Sequence, residues 1–161
     1  MLQKEENSTN YFELWWLILN IRDIIFRVRE KELIEDCDLS VRESVALINI
    51  DAINAEGKDA TPAELARRIL RQPNSTAYLL DRMQKRGLIK QTRDLDRKNL
   101  IKVTVTEKGK QAYACSRKRD SINWMMQCLS GDEVTTLIPV LDKLYDSLLE
   151  MTGRGARKRT I

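Results

Sequence analysis

A short run of hydrogen-bonding side chains around Pro73 carries the chemistry that is easiest to recognise in this sequence. Asn74, Ser75 and Tyr78 follow the proline, and Gln72 precedes it. An asparagine or glutamine amide can bind the N6 and N7 atoms of adenine together, and hydroxyl groups can bind bases or phosphates. These residue types at this spacing favour recognition of a DNA groove over catalysis.

The same side chains share one face of a helix predicted over residues 73–87. Its apolar positions recur at intervals of three and four residues, and they are Thr76, Leu79, Leu80 and Met83. Such a stripe faces a core. Asn74 and Tyr78 lie opposite, and Arg82 lies further along, where an arginine can bind a phosphate. Because an ordinary amphipathic surface helix has the same pattern, the neighbouring segments must decide between the two interpretations.

The segments on either side follow the order of a winged helix-turn-helix. A helix predicted over residues 61–70 comes directly before the helix at 73–87, and β-prone runs follow at 88–92 and 100–106. The residues between these runs, 93–99, are charged and rich in turn formers. We therefore predict a mainly α fold with a small β-hairpin wing, in which a winged helix-turn-helix is joined to helical dimerisation arms.

Capping signals mark where several helices begin. Ser40, Thr61 and Ser130 are each followed by a glutamate three residues later, which is the spacing of a capping box. Together with the hydrophobic periodicity, these signals predict the remaining helices over residues 10–36, 40–55, 107–129 and 131–150.

A strongly basic block lies in the middle of a chain whose net charge is only +4. Residues 61–120 contain 16 Lys and Arg against 6 Asp and Glu, whereas the rest of the chain contains 12 against 18. A local positive field attracts phosphates and releases counterions on contact. A basic surface can also be simply solvated, but here the basic block coincides with the predicted winged helix-turn-helix.

The motifs of this central segment resemble those of the MarR family of bacterial transcription regulators. Residues 65–89 read LARRILRQPNSTAYLLDRMQKRGLI, residues 96–99 read DRKN, and residues 103–109 read VTVTEKG. The resemblance covers residues 40–155 in order and extends to the first helix. It implies an α-helical homodimer that represses from a pseudo-palindromic, double-stranded DNA operator and is released by a small-molecule effector.

The resemblance also assigns roles to single residues. It implies that the helix at 73–87 reads the major groove and that Arg97 of the wing enters the minor groove. The spacing from Arg97 to the following VTVT run is longer than in common members of the family. Arg93 and Lys98 are therefore alternative candidates for the wing tip.

The flanking helices carry more apolar surface than a small wing domain can cover. On the C-terminal helix the apolar positions form a continuous seam of Val134, Leu137, Ile138, Leu141, Leu144, Tyr145, Leu148 and Leu149. The first helix is apolar nearly all round from Tyr11 to Phe26. We expect residues 1–36 and 107–155 to form a discontinuous dimerisation region, 37–106 the DNA-binding domain and 156–161 a basic tail. A monomer that packs these helices on its own domain is the alternative.

Four aromatic residues are candidates for a ligand pocket between the dimer arm and the wing domain. They are Phe12, Trp15, Trp16 and Trp124. Aromatic residues at helical spacing are also common in an ordinary core, so the identity and the existence of an effector stay open. The alternative function is a DNA-binding or protein-interaction module that has no small-molecule effector.

Enzymatic chemistry finds little support in this sequence. The chain contains no histidine, which removes the most common general base and metal ligand. It also contains no G-x-S-x-G motif, Walker motif or glycine-rich phosphate loop. We expect no catalytic site, no cofactor and no metal.

The three cysteines are Cys37, Cys115 and Cys128. An odd number without a C-x-x-C pair argues against a disulfide framework and against a structural zinc site. Cys37 could serve as a redox switch, but a cysteine without a partner is more often inert. We therefore expect none of the three to affect DNA binding.

The N-terminal residues lack the features of a secretory signal peptide. The apolar stretch at residues 14–21 is shorter than the roughly 20 residues that span a bilayer. We expect a cytoplasmic protein with no membrane partner.

Overall fold

The computed structural model describes residues 2–94 and 100–152, with side chains from Asn10 onward. The helices and strands in chain order are α1 (Leu2–Cys37), α2 (Val41–Ala55), α3 (Pro62–Arg68), α4 (Pro73–Lys85), β1 (Ile89–Asp94), β2 (Leu100–Val105), α5 (Glu107–Ser116), α6 (Asp120–Met126) and α7 (Gly131–Met151). The predicted fold class, mainly α with a β-hairpin, is confirmed.

The chain divides into two compact units, Met1–Ser121 and Ile122–Ile161. Helices α1 to α5 and the hairpin belong to the first unit, and α7 belongs to the second. The predicted division into a dimerisation region and a DNA-binding domain concerns how the parts function, and it stays a prediction.

A core of buried aliphatic side chains holds α2, α3, α4 and the hairpin together. Its members are Leu39, Ala46, Leu47, Ile50, Ile53, Ala60, Leu65, Leu79, Leu80, Met83, Leu88, Ile89 and Val103. Most of them recur at helical spacing within α2 and α4, so that each helix turns one apolar face inward. This core fixes the position of α4, whose opposite face carries the candidate DNA-binding residues.

The prediction of one helix over residues 107–129 is wrong. Two helices, α5 and α6, occupy this stretch with a short break between them. Glu32 of α1 accepts hydrogen bonds from the Ser121 backbone N–H, at 3.0 Å, and from the Ser121 hydroxyl. Arg29 of α1 donates to the carbonyl oxygen of Ser116 at 2.5 Å. Since α1 binds both the end of α5 and the start of α6, these contacts stabilise the break.

The two predicted strands are confirmed and form an antiparallel ladder. Arg93, which the sequence places in the turn, is instead paired with Ile101 inside β1, so that prediction is wrong. The backbone N–H of Val103 donates to the carbonyl oxygen of Ala60 at 2.8 Å. This bond attaches the hairpin to the segment that leads into α3.

The turn between α3 and α4 depends on one residue in the left-handed region. Leu70 has φ +57°, and the N–H of Arg71 donates to the carbonyl oxygen of Ala66 at 3.0 Å. This hydrogen bond closes the end of α3 in the manner of a Schellman motif. The helix ends abruptly there, and Pro73 begins α4 three residues after Leu70.

A side chain at Gly87 or at Gly109 would strain the structure around it. Gly87 has φ +73° and ends α4, where the N–H of Leu88 donates to the carbonyl oxygen of Met83 at 3.0 Å. A Cβ at Gly109 would overlap the carbonyl oxygen of Leu88 and lie 2.7 Å from Cγ1 of Val105. The glycine of the VTVTEKG motif therefore lets α5 start against the backbone of the hairpin.

The capping predictions hold at two of the three sites. Capping boxes form at Ser40 and at Ser130, where each serine exchanges hydrogen bonds with the glutamate three residues later. Thr61 accepts a hydrogen bond from the backbone N–H of Glu64, but the Glu64 carboxylate binds Arg67 at 2.6 Å. The full capping box predicted at Thr61 is therefore wrong, because a nearby guanidinium competes for the carboxylate.

The expectation that the cysteines form no disulfide is also wrong. Cys37, the last residue of α1, is bonded to Cys115 near the end of α5, with 5.7 Å between their Cα atoms. The two cysteines are 78 residues apart in sequence, so only the packing of α1 against α5 brings them together. Cys128 is a free, exposed cysteine.

Helix α1 is longer than the predicted 10–36 and begins at Leu2. Its exposed apolar side chains are Tyr11, Phe12, Leu14, Trp15, Trp16, Leu17, Ile21, Ile24, Phe26 and Ile34. None of the helices in the described ranges is long and apolar enough to cross a membrane.

Helix α7 is confirmed at almost the predicted bounds, although Pro139 lies inside it. Most of its predicted seam is exposed in the single chain, namely Leu137, Ile138, Leu141, Leu144 and Leu148. Leu149 is buried. An exposed apolar face does not stabilise an isolated helix, so we expect this surface to pack against a partner.

Candidate nucleic-acid interface

Helix α4 has one buried face and one exposed polar face. The predicted apolar stripe is confirmed, since Thr76, Leu79, Leu80 and Met83 are buried. The predicted base-contacting residues are all exposed, and they are Gln72, Asn74, Ser75 and Tyr78. Tyr78 is 73% exposed. That these side chains contact bases stays a prediction.

The N-terminal end of α4 differs from that of the other capped helices. A Ser or Thr hydroxyl caps α2, α3, α5 and α7, whereas Gln72 makes no side-chain capping bond at the start of α4. Pro73 at the first helical position needs no partner because it has no N–H. The backbone N–H groups that follow it can bind an anion such as a phosphate.

The C-terminal end of α4 is fastened to the start of α2 by a buried carboxylate. Glu43 is 1% exposed and accepts a hydrogen bond from Nη1 of Arg86 at 2.7 Å. Nε of Arg82 lies 3.4 Å from Oε1 of Glu43, an ion pair without hydrogen-bond geometry. The Ser40 backbone N–H and hydroxyl both donate to Glu43 at 2.9 Å. One carboxylate thereby joins a helix cap to two arginines of the candidate recognition helix.

These contacts keep Glu43 ionised. Burial by itself raises the pKa of Glu43, but hydrogen bonds from Ser40 and Arg86, with the charge of Arg86, lower it below the ordinary value of 4.5. A charged Glu43 holds Arg82 close to α2, although Arg82 stays 44% exposed. Its predicted role at a phosphate would therefore add to a structural role that the sequence did not suggest.

Gln91 of β1 forms two hydrogen bonds that hold the hairpin against α4. The backbone N–H of Gln91 donates to Oε1 of Gln84 at 2.8 Å, and its side-chain Nε2 donates to Oδ1 of Asp81 at 3.2 Å. Both bonds join β1 to the exposed side of α4. They set the direction of the hairpin relative to the candidate recognition helix, and no local sequence signal indicates this role of Gln91.

The wing residues fall in two groups. Arg93 is exposed on β1. Arg97 and Lys98 lie outside the described residues, so their predicted place at the wing tip stays a prediction.

Part of the basic block is used for internal ion pairs. The side chain of Arg67 donates to Glu64, and with Arg68 it lowers the pKa of Glu64 to about 2. Arg68 also binds Glu56, the C-cap residue of α2, at 2.6 Å. Among the described residues of α4 and the hairpin, the exposed basic side chains are Arg82, Lys85, Lys90 and Arg93. These four cations face solvent on the two elements expected to contact DNA, while Arg67 and Lys110 are exposed elsewhere in the basic block.

The predicted aromatic pocket residues are exposed in the single chain. Phe12, Trp15 and Trp16 on α1 are 64%, 53% and 52% exposed, and Trp124 is 64% exposed in the region of α6. The rings of Phe12 and Trp15 lie 5.4 Å apart between centroids. A ligand site at these residues stays a prediction.

A cavity of about 270 Å³ lies elsewhere, at the junction of α1, α2 and α4. It is lined by Ile34, Asp38, Leu39, Ser40, Glu43, Arg82 and Arg86. Within the described ranges, no group of three His, Cys, Asp or Glu side chains could hold a metal ion.

Several solved structures share this architecture. The organohalide-sensing RdhR-CbdbA1625 transcriptional regulator, in its 2,4-dichlorophenol-bound form, is 27% identical, with a TM-score of 0.82 over 94% of this chain and 90% of that chain. A mutant MarR from E. coli complexed with operator DNA is 21% identical, with a TM-score of 0.75 over 84% of this chain and 95% of that chain. MepR from S. aureus in complex with DNA is 20% identical, with a TM-score of 0.71 over 86% of this chain and 99% of that chain.

No family model matches the chain, and no curated protein matches it. The structural similarity nevertheless extends over most of the chain. It agrees with the motifs at residues 65–89 and 103–109.

Proposed function

The chain has the fold and the sequence motifs of the MarR-family transcriptional regulators, and on that premise we propose that it is a homodimeric, DNA-binding transcriptional regulator. It binds a pseudo-palindromic operator as a repressor. Residues 37–106 form its DNA-binding domain, and residues 1–36 and 107–155 form its dimerisation region. It acts in the cytoplasm, where bacterial operators are located.

The exposed polar face of α4 is the observation that carries this proposal. Its N-terminal half presents Asn74, Ser75 and Tyr78 beside backbone N–H groups that no described side chain caps. Hydrogen-bonding side chains at the N-terminal end of a helix are what major-groove recognition requires. Arg82 supplies a cation further along the helix.

The wing supplies the second contact. Gln91 holds β1 against α4, so the hairpin and the recognition helix approach the duplex as one rigid unit. In this proposal Arg97 of the wing enters the minor groove, where a guanidinium is attracted to the narrow, negatively charged groove of A·T-rich DNA.

Dimerisation follows from the apolar surfaces of α1 and α7. The exposed residues of the α7 seam include Leu137, Leu141 and Leu148, and those of α1 include Trp16 and Ile24. Apolar surfaces of this extent on a soluble chain mark an interface. A two-fold dimer places two recognition helices in successive major grooves.

A small aromatic molecule relieves repression in this proposal. The exposed aromatic residues Phe12, Trp15 and Trp16 on α1 support it, because aromatic rings favour an apolar ligand. The similarity to a regulator crystallised with 2,4-dichlorophenol supports the same chemical class. The alternative is a DNA-binding or protein-interaction module without an effector.

Footprinting on the promoter DNA upstream of the gene tests the proposal. We expect protection of a pseudo-palindrome whose half-site centres lie about 10 base pairs apart. Light scattering at micromolar concentration should give the mass of a dimer. A monomer, or protection of a single half-site, would contradict the proposed assembly.

The same DNA complex separates the two candidate functions. We expect 2,4-dichlorophenol, used as a probe for small aromatic effectors, to release the operator and to quench tryptophan fluorescence. Matched titrations with an aliphatic alcohol control for solvent effects. DNA binding that no aromatic probe changes would favour the module without an effector.

A further inference from the structure

The disulfide joins two helices at the point where the DNA-binding core meets the helices that flank it. Cys37 ends α1, and Cys115 lies near the end of α5. Their Cα atoms are 5.7 Å apart, a separation at which a disulfide forms without moving the backbone. Both side chains are half-buried, so a small oxidant or a dithiol reagent can reach the sulfur atoms.

The fold does not depend on this bond for its core. The buried residues of α2, α3, α4 and the hairpin are aliphatic and well packed. Arg29 and Glu32 fasten α1 to Ser116 and Ser121 without the disulfide. Disulfides that replace a missing core are typical of small secreted domains, and this chain has a core of its own. The bond can therefore open and close while the fold persists.

The residue after Cys37 connects the bond to the candidate recognition helix. Asp38 has φ +49°, in the left-handed region that Asp adopts only at a local cost. Its carboxylate lies 2.8 Å from Nη2 of Arg86, and its carbonyl oxygen accepts a hydrogen bond from the same guanidinium. Arg86 also binds Glu43. A change at Cys37 is therefore one residue away from a contact with the end of α4.

We propose that Cys37 and Cys115 form a reversible thiol–disulfide site that controls the mobility of the C-terminal end of α4. When the bond is formed, it restrains the turn at Asp38 and with it the contact to Arg86. When the bond is reduced, this turn and the end of α4 gain freedom. The link to operator affinity rests on the proposed function, whereas the modification site itself does not.

A hydroperoxide is the class of oxidant that fits two half-buried thiols. One thiolate attacks the peroxide oxygen, an S–O bond forms, the O–O bond breaks, and the leaving oxygen departs as water or an alcohol. The second thiol then attacks the sulfenic sulfur, the S–S bond forms, and the S–O bond breaks with loss of water. The two cysteines lose two protons and two electrons, which the peroxide takes up. A dithiol such as dithiothreitol reverses the reaction.

Thiol mapping on the full chain tests the site without DNA. The reduced protein is treated with hydrogen peroxide, alkylated and digested, and its peptides are identified by mass spectrometry. We expect an intramolecular link between Cys37 and Cys115 that dithiothreitol removes from the folded protein. Cys128→Ser, the matched control, should form the same link, and Cys37→Ser and Cys115→Ser should not. Persistence of both free thiols, or a bond that resists dithiothreitol in the folded state, would overturn the site.

Amide hydrogen exchange tests the connection to α4. We expect faster exchange at residues 82–88 in the reduced than in the oxidised wild type, and no redox difference in Cys37→Ser. On the operator, affinity should differ about fivefold or more between the two states, a coupling typical of linked sites. Equal exchange in both states would overturn the connection even if the protein bound no DNA. Equal operator affinity with altered exchange would overturn its link to DNA binding.

Discussion

Glu43 and Arg86 form an ion pair that joins the first turn of α2 to the last turn of the candidate recognition helix. The Nη1 atom of Arg86 lies 2.7 Å from Oε2 of Glu43, and the carboxylate is 1% exposed. The two residues are 43 positions apart. Because the carboxylate also caps α2, the orientation of α4 is tied to a buried charged group beside the aliphatic core.

Replacing Glu43 should destabilise the fold. In Glu43→Gln the neutral amide cannot satisfy two arginines and the Ser40 N–H together. We expect the free energy of unfolding to fall by about 1–3 kcal/mol. Urea denaturation at pH 7 measures the change. Glu35→Gln is the matched control, since Glu35 is 61% exposed and its ion pair with Lys31 is long at 4.0 Å. An equal loss of stability in Glu35→Gln would contradict the structural role of Glu43.

The stability of the protein should fall in acid. The pKa of Glu43 lies below its ordinary value of 4.5, so its stabilising effect is complete above that pH and is lost as the pH falls through the folded-state pKa. Hydrogen bonds from Arg67 and Arg68 lower the pKa of Glu64 to about 2, which gives the same sign. Urea denaturation between pH 7 and pH 3 should show this loss. The difference in the free energy of unfolding between wild type and Glu43→Gln should become smaller toward pH 3. A constant difference would contradict the lowered pKa of Glu43.

Asn74 should read a base. In Asn74→Ala we expect operator binding to weaken by about 1–3 kcal/mol and base preference to relax at one position in each half-site. Asn54→Ala, an exposed asparagine on α2, is the control and should bind like wild type. Binding to a library of operator variants measures both effects. Equal loss on operator and random DNA would mean that Asn74 positions the helix without reading sequence.

Arg97 of the wing should contribute to operator binding through its charge. Arg97→Ala should weaken operator binding and reduce the slope of log affinity against log salt concentration by on the order of one per site. Titrations at several salt concentrations measure the slope. Arg93→Ala is the comparison, because Arg93 lies in β1 next to the last pair of the ladder. If Arg93→Ala lost the contact and Arg97→Ala did not, the minor-groove residue would be Arg93.

Gly109 should tolerate no side chain. In Gly109→Ala the added methyl group would overlap the carbonyl oxygen of Leu88 and approach Val105, so we expect a loss of about 1–3 kcal/mol. Gly131→Ala is the matched control, because no atom lies within 4 Å of a Cβ there, at the first residue of α7. Thermal unfolding should show a lower Tm for the first variant only. A normal Tm for Gly109→Ala would contradict the close approach of α5 to the hairpin.

The sequence by itself determined the features that depend on neighbours along the chain. The buried stripe of α4 follows from a repeat of three and four residues, and it appears in the structure as predicted. The caps at Ser40 and Ser130 follow from glutamates three residues later. The hairpin follows from two β-prone runs. Such signals act over one or two turns, so a pattern in the residues specifies them.

The tertiary structure decided every feature that joins distant residues. The break between α5 and α6 depends on Glu32 of α1, which lies 89 residues before Ser121. The Cys37–Cys115 bond spans 78 residues, and the Glu43–Arg86 pair spans 43. A carboxylate, a guanidinium or a thiol carries no local mark of its partner, because the partner is selected only when packing of the apolar faces brings the two groups within a few ångströms.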